Sequence, residues 1–289
     1  MKALVFGTTG QLAIELARRA PRGGAVMAFG RETADLCEPQ SSARLIDAAE
    51  ADIVINAAAY TAVDAAETDR ETAHLVNAEA PGAMARAAAR RGVPFLHVST
   101  DYVFDGSGTR PWREDDPVAP LGVYGQTKLD GERAIQAAGG DHVILRTAWV
   151  FSAHGRNFVK TMLRLGAERD MLSVVDDQYG GPTAAADIAD ALWSIARAWT
   201  RGHGKSGVFH YAGTPRVSWA DFAEAIFERA TLRSRPTVVR IPSSAYPTPA
   251  QRPANSVLDC SRIGDAYGID QPDWRGSLSS VIRELEQNT

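Results

Sequence analysis

Ala3-Leu-Val-Phe-Gly7-Thr-Thr-Gly10-Gln-Leu-Ala13 stands near the start of the chain. The apolar run at 3–6 reads as a strand, and the Ala/Leu/Ile stretch through Arg19 reads as a helix. The glycines between them form a turn. Gly7 permits the tight bend, Gly10 lets backbone approach a pyrophosphate, and Ala13 takes the small position where helix packs on strand. A helix start there offers free N–H groups and a positive dipole end to phosphate. This is the opening of a dinucleotide-binding parallel sheet. The plain alternative is a tight turn that binds nothing.

The next strands keep the pattern. A second is expected at 25–29, and the residue that reads the ribose should follow it. There the chain has Gly30-Arg31-Glu32, with Asp35 close by. An acidic side chain would accept from a 2′-hydroxyl, whereas Arg31 would welcome a 2′-phosphate. The balance tilts toward NADPH and leaves NADH open. A third strand at 52–55 runs into Asn56-Ala-Ala-Ala-Tyr60-Thr61, where small residues let a ligand lie against backbone. A long helix follows over about 70–91, with Asn77 either a core hydrogen-bonder or exposed. The fourth strand, 93–98, ends at Ser99-Thr100-Asp101, and a hydroxyl at a strand's carboxyl end can hold a carbonyl oxygen. A polar loop at 104–116 leads to the helix carrying Tyr124 and Lys128, and a fifth strand spans 141–146. Four βα units before a fifth strand predict an α/β fold of the Rossmann type, a doubly wound parallel sheet.

Tyr124 and Lys128 lie one helical turn apart on one face. An ammonium beside a phenol favours the phenolate and lowers a pKa that is ordinarily about 10. Such a pair moves a proton to or from a substrate oxygen. Hydride transfer with a nicotinamide is the event that would match it. The bland alternative is a half-buried Tyr124 and a solvated Lys128 paired with Glu132.

Beyond Phe151 the alternation loosens. Helices are expected at 157–167, 183–199, from Ser218, and at 278–286. Strands are expected at 171–175 and 207–211, and the Pro-rich stretch 236–253 reads as irregular. Residues 1–148 are expected to form the dinucleotide-binding domain. Residues 149–289 are expected to form a smaller, mixed α/β substrate-binding lobe, with about 170–211 interleaved into the first domain. The net charge is −4, with no basic run, so nucleic acid is not an expected partner. No signal peptide or membrane-length apolar run is seen. Cys37 and Cys260 make no framework, which suits a reducing cytosol and a cytoplasmic protein. HExxH and CxxC patterns are absent, so no metal residue is assigned.

Seven stretches carry a family resemblance: GTTGQLA at 7–13, NAAAYTAVDAAE at 56–67, STDYVFDG at 99–106, YGQTK at 124–128, LRTAWVF at 145–151, DQYGGPT at 177–183 and RPANSVLD at 252–259. With them the chain resembles the extended short-chain dehydrogenase/reductases and, within these, the dTDP-4-dehydrorhamnose reductase family. Ala13 departs from the third glycine of many relatives and is small enough to serve. The resemblance implies NADPH-dependent reduction of the C4 keto group of a dTDP-4-keto-6-deoxy sugar. Gly7, Gly10, Gln11 and Leu12 would line the pyrophosphate, Asp35 and Leu36 the adenine, and Ala58, Ala59, Tyr60 and Ser99 the rest of the cofactor. Thr100, Tyr124 and Lys128 would be catalytic, with Lys128 also on the nicotinamide ribose. Thr100, Asp101, Trp149 and Arg252 would hold the nucleotide sugar. Some relatives form a homodimer through Mg²⁺ held by glutamates, and Glu15 sits where one such ligand would come from. A 4,6-dehydratase would need a second acid after the threonine, and Thr100-Asp101-Tyr102 lacks it. An epimerase, or a binding module resembling the regulatory chain of methionine adenosyltransferase, would give no net NADPH oxidation.

Overall fold

A computed structural model describes residues 1–287. Its centre is a parallel six-stranded sheet of Lys2–Phe6 (β1), Ala25–Phe29 (β2), Ile53–Asn56 (β3), Phe95–Thr100 (β4), His142–Thr147 (β5) and Gly207–His210 (β6). The spatial order is β6-β5-β4-β3-β1-β2. The chain moves outward from β1 to β2, then returns to the other side of β1 with β3. The gap between β1 and β3 is therefore the topological switch point, where sheets of this kind bind ligands. The register places Phe6 opposite Asn56, so Gly7 and Ala57 face each other across that gap.

Both faces of the sheet are covered. Ala3 and Val5 point to one core with Leu192 and Trp193. Leu4 and Phe6 point to the other with Met84 and Ile46. Near-continuous apolar strands such as β1 are what a sheet buried on both sides requires. A third core, around Phe151, Phe222 and Trp274, belongs to the second half of the chain.

Two expectations needed correction. The helix over 70–91 is continuous but not uniform, because Leu75–Glu79 is a π-turn between α-helical segments. The wider turn buries Asn77 completely. Gly131 of the helix Val123–Ala137 lies against the Asn77 carbonyl, where a Cβ would collide. The stretch 236–253 is not wholly irregular. Thr237–Ile241 pairs in parallel with Met171–Val175. Its β-branched residues and a proline placed just ahead of the strand account for this.

Candidate active site

A cleft of about 1040 Å³ runs along the carboxyl ends of the strands. Its walls include Gly7, Gly10, Gln11, Leu12, Arg31, Asp35, Leu36, Ala58, Ala59, Tyr60, Ser99, Thr100, Asp101, Tyr124, Lys128 and Trp149. Of the site residues expected from sequence, Arg252 alone stands outside that wall. Its Nη2 donates to Asp64 Oδ1 at 2.8 Å and its Nη1 to the Ala250 carbonyl at 3.3 Å.

At one end the working surface is backbone. Gly7 sits at φ +116°, and a Cβ there would lie 3.3 Å from Ala13 Cβ and 3.4 Å from the Ala57 carbonyl carbon. The helix Gln11–Arg18 starts at Gly10 with no side-chain cap, so its first N–H groups are left for a ligand. This cradle fits a pyrophosphate. The Gln11 side chain does other work, since its Oε1 accepts from Ser152 Oγ and Asn157 Nδ2, each at 2.8 Å. Arg31 is exposed and 3.4 Å from Asp35 Oδ2. The Cys37 backbone N–H, and after it Arg31, holds the Asp35 carboxyl below its ordinary range.

The Ala58-Ala59-Tyr60 wall is pinned by two buried asparagines. Asn56 Oδ1 accepts from the Ala58 N–H at 3.1 Å. Asn77 Oδ1 accepts from the Tyr60 N–H at 2.9 Å, and its Nδ2 donates to the Tyr60 carbonyl and to Thr127 Oγ1, each at 3.1 Å. Asn77 is thus a core hydrogen-bonder, and the π-turn is what aims it at the cleft wall.

At the other end the surface is side chains. Thr100 Oγ1 donates to Asp101 Oδ1 at 3.0 Å and accepts from the Tyr102 N–H at 3.2 Å. Glu67 Oε1 accepts from the Val123 N–H at 2.8 Å and anchors the start of the Tyr124 helix. Tyr124 keeps a partly exposed ring, T-stacked on Tyr102 at 5.5 Å. Loss of hydration at its hydroxyl pushes the phenol up to about 12, with the Thr100 hydroxyl pulling the other way. This overturns the expectation of a depressed phenol. The reason is where Lys128 points: its Nζ donates to the Val98 carbonyl at 2.7 Å and meets His97 Nε2 at 3.0 Å. Burial draws Lys128 down to about 8, with Glu132 opposing.

Nor is Lys128 a solvated partner of Glu132. Lys128 is 1% exposed. Glu132 is taken by Arg146, at 2.6 Å to Nη2 and 2.9 Å to Nε, and by the Ser99 hydroxyl at 2.5 Å. The Arg146 guanidinium lies 5.1 Å over the Phe104 ring. This buried cluster fixes the floor beneath Ser99 and Thr100. Sequence reading missed Arg146 and His97. The Glu132 position, one turn beyond Lys128, was the available signal for the cluster.

Asp101 is enclosed, and burial raises its carboxyl to about 6, with the Ser256 and Thr100 hydroxyls offsetting part of that. Among the described residues its Oδ2 and the Thr147 hydroxyl close no hydrogen bond, Ser256 falling short of bonding geometry. Both residues line the cleft, and Thr147 was not foreseen as a site residue. Trp149 holds φ +50°, unusual for a non-glycine residue. Its indole stacks on Trp219 with centroids 3.4 Å apart. It is both a cleft wall and the edge of the third core, so the choice between lining residue and core residue does not divide it.

A family described as the RmlD substrate binding domain matches residues 1–287. The chain belongs to that family. A dTDP-4-dehydrorhamnose reductase of Burkholderia thailandensis is 47% identical over 295 residues, covering 99% of each chain. A crystal structure of a dTDP-4-dehydrorhamnose reductase from Clostridium acetobutylicum superposes with a TM-score of 0.92 at 34% identity, covering 99% of this chain and 100% of that one. One from Bacillus anthracis, in complex with NADP, superposes with a TM-score of 0.91 at 30% identity, covering 98% and 99%.

The glutamate that a dimer-bridging Mg²⁺ would use is not a solvated one here. Glu15 is 5% exposed. Its carboxylate, His154 Nε2 and a Glu284 oxygen lie within 4.8 Å of one another. Arg18 Nη1 touches all three, at 3.3, 2.7 and 2.6 Å. The guanidinium supplies the positive charge that a cation would bring, so this donor set does not fit a metal as it stands.

Proposed function

We propose that the chain reduces the C4 keto group of dTDP-4-dehydro-L-rhamnose to dTDP-L-rhamnose, using NADPH, in nucleotide-sugar biosynthesis for cell-surface polysaccharide. The observation that carries this reading is the cleft itself, which brings Thr100, Tyr124 and Lys128 to one end and the Gly7–Gly10 cradle to the other. The relatives' shared name supports the substrate, and the NADP complex of one of them supports the cofactor.

Gly7, Gly10, Leu12, Arg31 and the Ala58–Tyr60 wall would hold the cofactor, which when bound supplies a hydride. The chain's own part is to bind and orient the sugar and to give a proton. Thr100 would turn its single O–H from Asp101 Oδ1 to the C4 oxygen, where negative charge develops. Tyr124 Oη transfers its proton to that oxygen as the hydride adds to C4. One hydride and one proton complete the alcohol. An alkoxide is a stronger base than even a raised phenolate, so the transfer runs downhill. Asp101 Oδ2 and the Thr147 hydroxyl are free acceptors for sugar hydroxyls, and Trp149 offers a flat apolar wall to a deoxysugar face. We assign cofactor binding mainly to residues 1–148 and the sugar lobe to 149–289. We also place the reaction in the cytoplasm, a reading that the two unbridged cysteines support.

The test is NADPH oxidation by the full chain with a dTDP-4-keto-6-deoxy sugar, with the product identified. Stoichiometric oxidation to dTDP-L-rhamnose is expected. No net oxidation would mean an epimerase or a binding module. Tyr124→Phe should keep the melting temperature and lose about 10²- to 10⁴-fold in kcat. A near wild-type kcat would remove Tyr124 from the chemistry.

A further inference from the structure

The cationic side chains in the cleft wall are Arg31, Lys128 and Arg156. Lys128 spends its Nζ on the Val98 carbonyl and His97, and Arg31 lies beside Asp35. Arg156 is exposed, and among the described residues it closes no hydrogen bond and pairs with no acid. The acids of the same wall are engaged elsewhere. Asp35 accepts from the Cys37 N–H, Asp69 from the Tyr60 hydroxyl and Asp101 from the Thr100 hydroxyl. Arg156 is thus a positive charge in the cleft wall that the folded chain leaves unanswered.

Its place is fixed by its neighbours. All of them are fastened to Gln11, the first residue of the helix with the uncapped start. Asn157 Nδ2 and Ser152 Oγ both donate to Gln11 Oε1, each at 2.8 Å. Gly155 turns at φ +61°, and a Cβ there would stand 3.3 Å from Gln11 Cγ. On its far side Asn157 caps the helix Phe158–Glu168, its Oδ1 accepting from the Lys160 N–H at 3.1 Å. The Gln11 side chain therefore ties the loop 152–157 to the phosphate cradle, and Arg156 is the charged residue that this loop carries.

We infer that Arg156 is a cofactor-binding residue, brought by the second half of the chain to the pyrophosphate of the dinucleotide on the Gly7–Gly10 cradle, with Gln11 as the residue that positions it. A pyrophosphate bridge carries a negative charge on each phosphate. The cradle answers with N–H dipoles and holds no full charge of its own. A guanidinium adds that charge, and its planar fork of donors matches phosphate oxygens. A solvated arginine would need no such anchoring of the residues on both sides of it. The inference deepens the proposed cofactor site and gives Arg156 a different task from Arg31, because NADPH and NADH share the pyrophosphate and differ in the 2′-phosphate.

The test is calorimetric binding of NADPH, NADH and dTDP-L-rhamnose to the full chain and to Arg156→Ala. Kd should rise about five- to tenfold for NADPH and by the same factor for NADH, with the value for dTDP-L-rhamnose and the melting temperature of the free protein unmoved. Added salt should narrow the gap between the two proteins, and Arg156→Lys, which keeps the charge without the fork, should recover part of the loss. A rise for NADPH alone would make Arg156 a 2′-phosphate reader, and a rise for dTDP-L-rhamnose alone would assign it to the sugar nucleotide. Either result, or unchanged binding of all three, would overturn the inference. An unaltered chain that binds neither NADPH nor NADH would instead take away the cofactor site itself, and the inference with it.

Discussion

At the end of the cleft proposed for phosphate the working groups are backbone: the Gly7 bend, the uncapped start of the helix Gln11–Arg18, and the Ala57–Ala59 wall. At the end proposed for catalysis they are side chains, and nearly all are buried: Ser99, Thr100, Asp101, Lys128, Glu132, Arg146 and His97. The first end works by shape and by dipoles that any residue could supply if it were small enough. The second works by where protons sit, which depends on several groups holding one another. Substitutions at the backbone end should therefore act locally and modestly. Those at the side-chain end should propagate into stability and pH dependence.

Glu132→Ala should have the largest effect on stability. It strands the Arg146 guanidinium, 4% exposed, and the Ser99 hydroxyl without their anion. Breaking a buried pair by removing one partner costs about 3–5 kcal/mol. Denaturant unfolding reads this directly, and a loss below about 1 kcal/mol would mean the cluster does not hold the catalytic end together.

Asp101→Asn comes next and should go the other way. The folded Asp101 carboxyl titrates near 6 because of burial, above the ordinary unfolded range. The folded state therefore holds that proton more tightly. The benefit is present at low pH and is lost as pH rises through 6, where the ionised buried carboxylate costs up to about 3 kcal/mol. An asparagine keeps the acceptor for Thr100 and carries no charge. Its gain in melting temperature should be full at pH 8 and fade as pH falls from 6 toward 4, while KM for the sugar nucleotide rises. Equal gains at pH 4 and pH 8 would show that the carboxyl is not perturbed.

Gly7→Ala probes the backbone end. A residue with a Cβ at φ +116° is strained by roughly 1–3 kcal/mol, and the added methyl presses on Ala13 and Ala57. Melting temperature should fall, and KM for NADPH should rise more than kcat falls. An unchanged KM would detach this turn from the cofactor. The smallest effect is expected for Arg31→Ala. The side chain is 79% exposed, so a phosphate contact there is screened and worth less than about 1 kcal/mol. KM for NADPH should rise about three- to fivefold, with KM for NADH nearly unchanged. An equal change in both would show that Arg31 serves something other than a 2′-phosphate.

The division between the two ends is also the division between what could and could not be read from the chain. Gly7, Gly10 and Ala13 announce their roles because a tight turn and a close approach depend on residue size a few positions apart. Tyr124 and Lys128 were equally legible, since one helical turn sets their common face. The partners of Lys128 were not. His97 lies 31 residues away, on β4, and reaches Nζ only because β4 passes beneath the Tyr124 helix. Nothing in the Tyr–Lys spacing says that the amine turns away from the phenol, and so the expected lowering of Tyr124 was reversed. Arg252 carries a suggestive motif, yet Asp64 claims it outside the cleft wall.

By itself the sequence determined the parallel sheet, the glycine cradle, the switch-point cleft and the identity of the hydroxyl groups at its open end. These follow from local conformational rules and from strand ends that line up whenever such a sheet forms. Tertiary structure alone decided which acid pairs with Arg146, which way Asn77 faces, and where the Lys128 Nζ points. Those depend on distances between segments far apart in the chain and on the loss of water around them. Burial also makes each buried polar group's proton answer to its neighbour rather than to its own ordinary pKa.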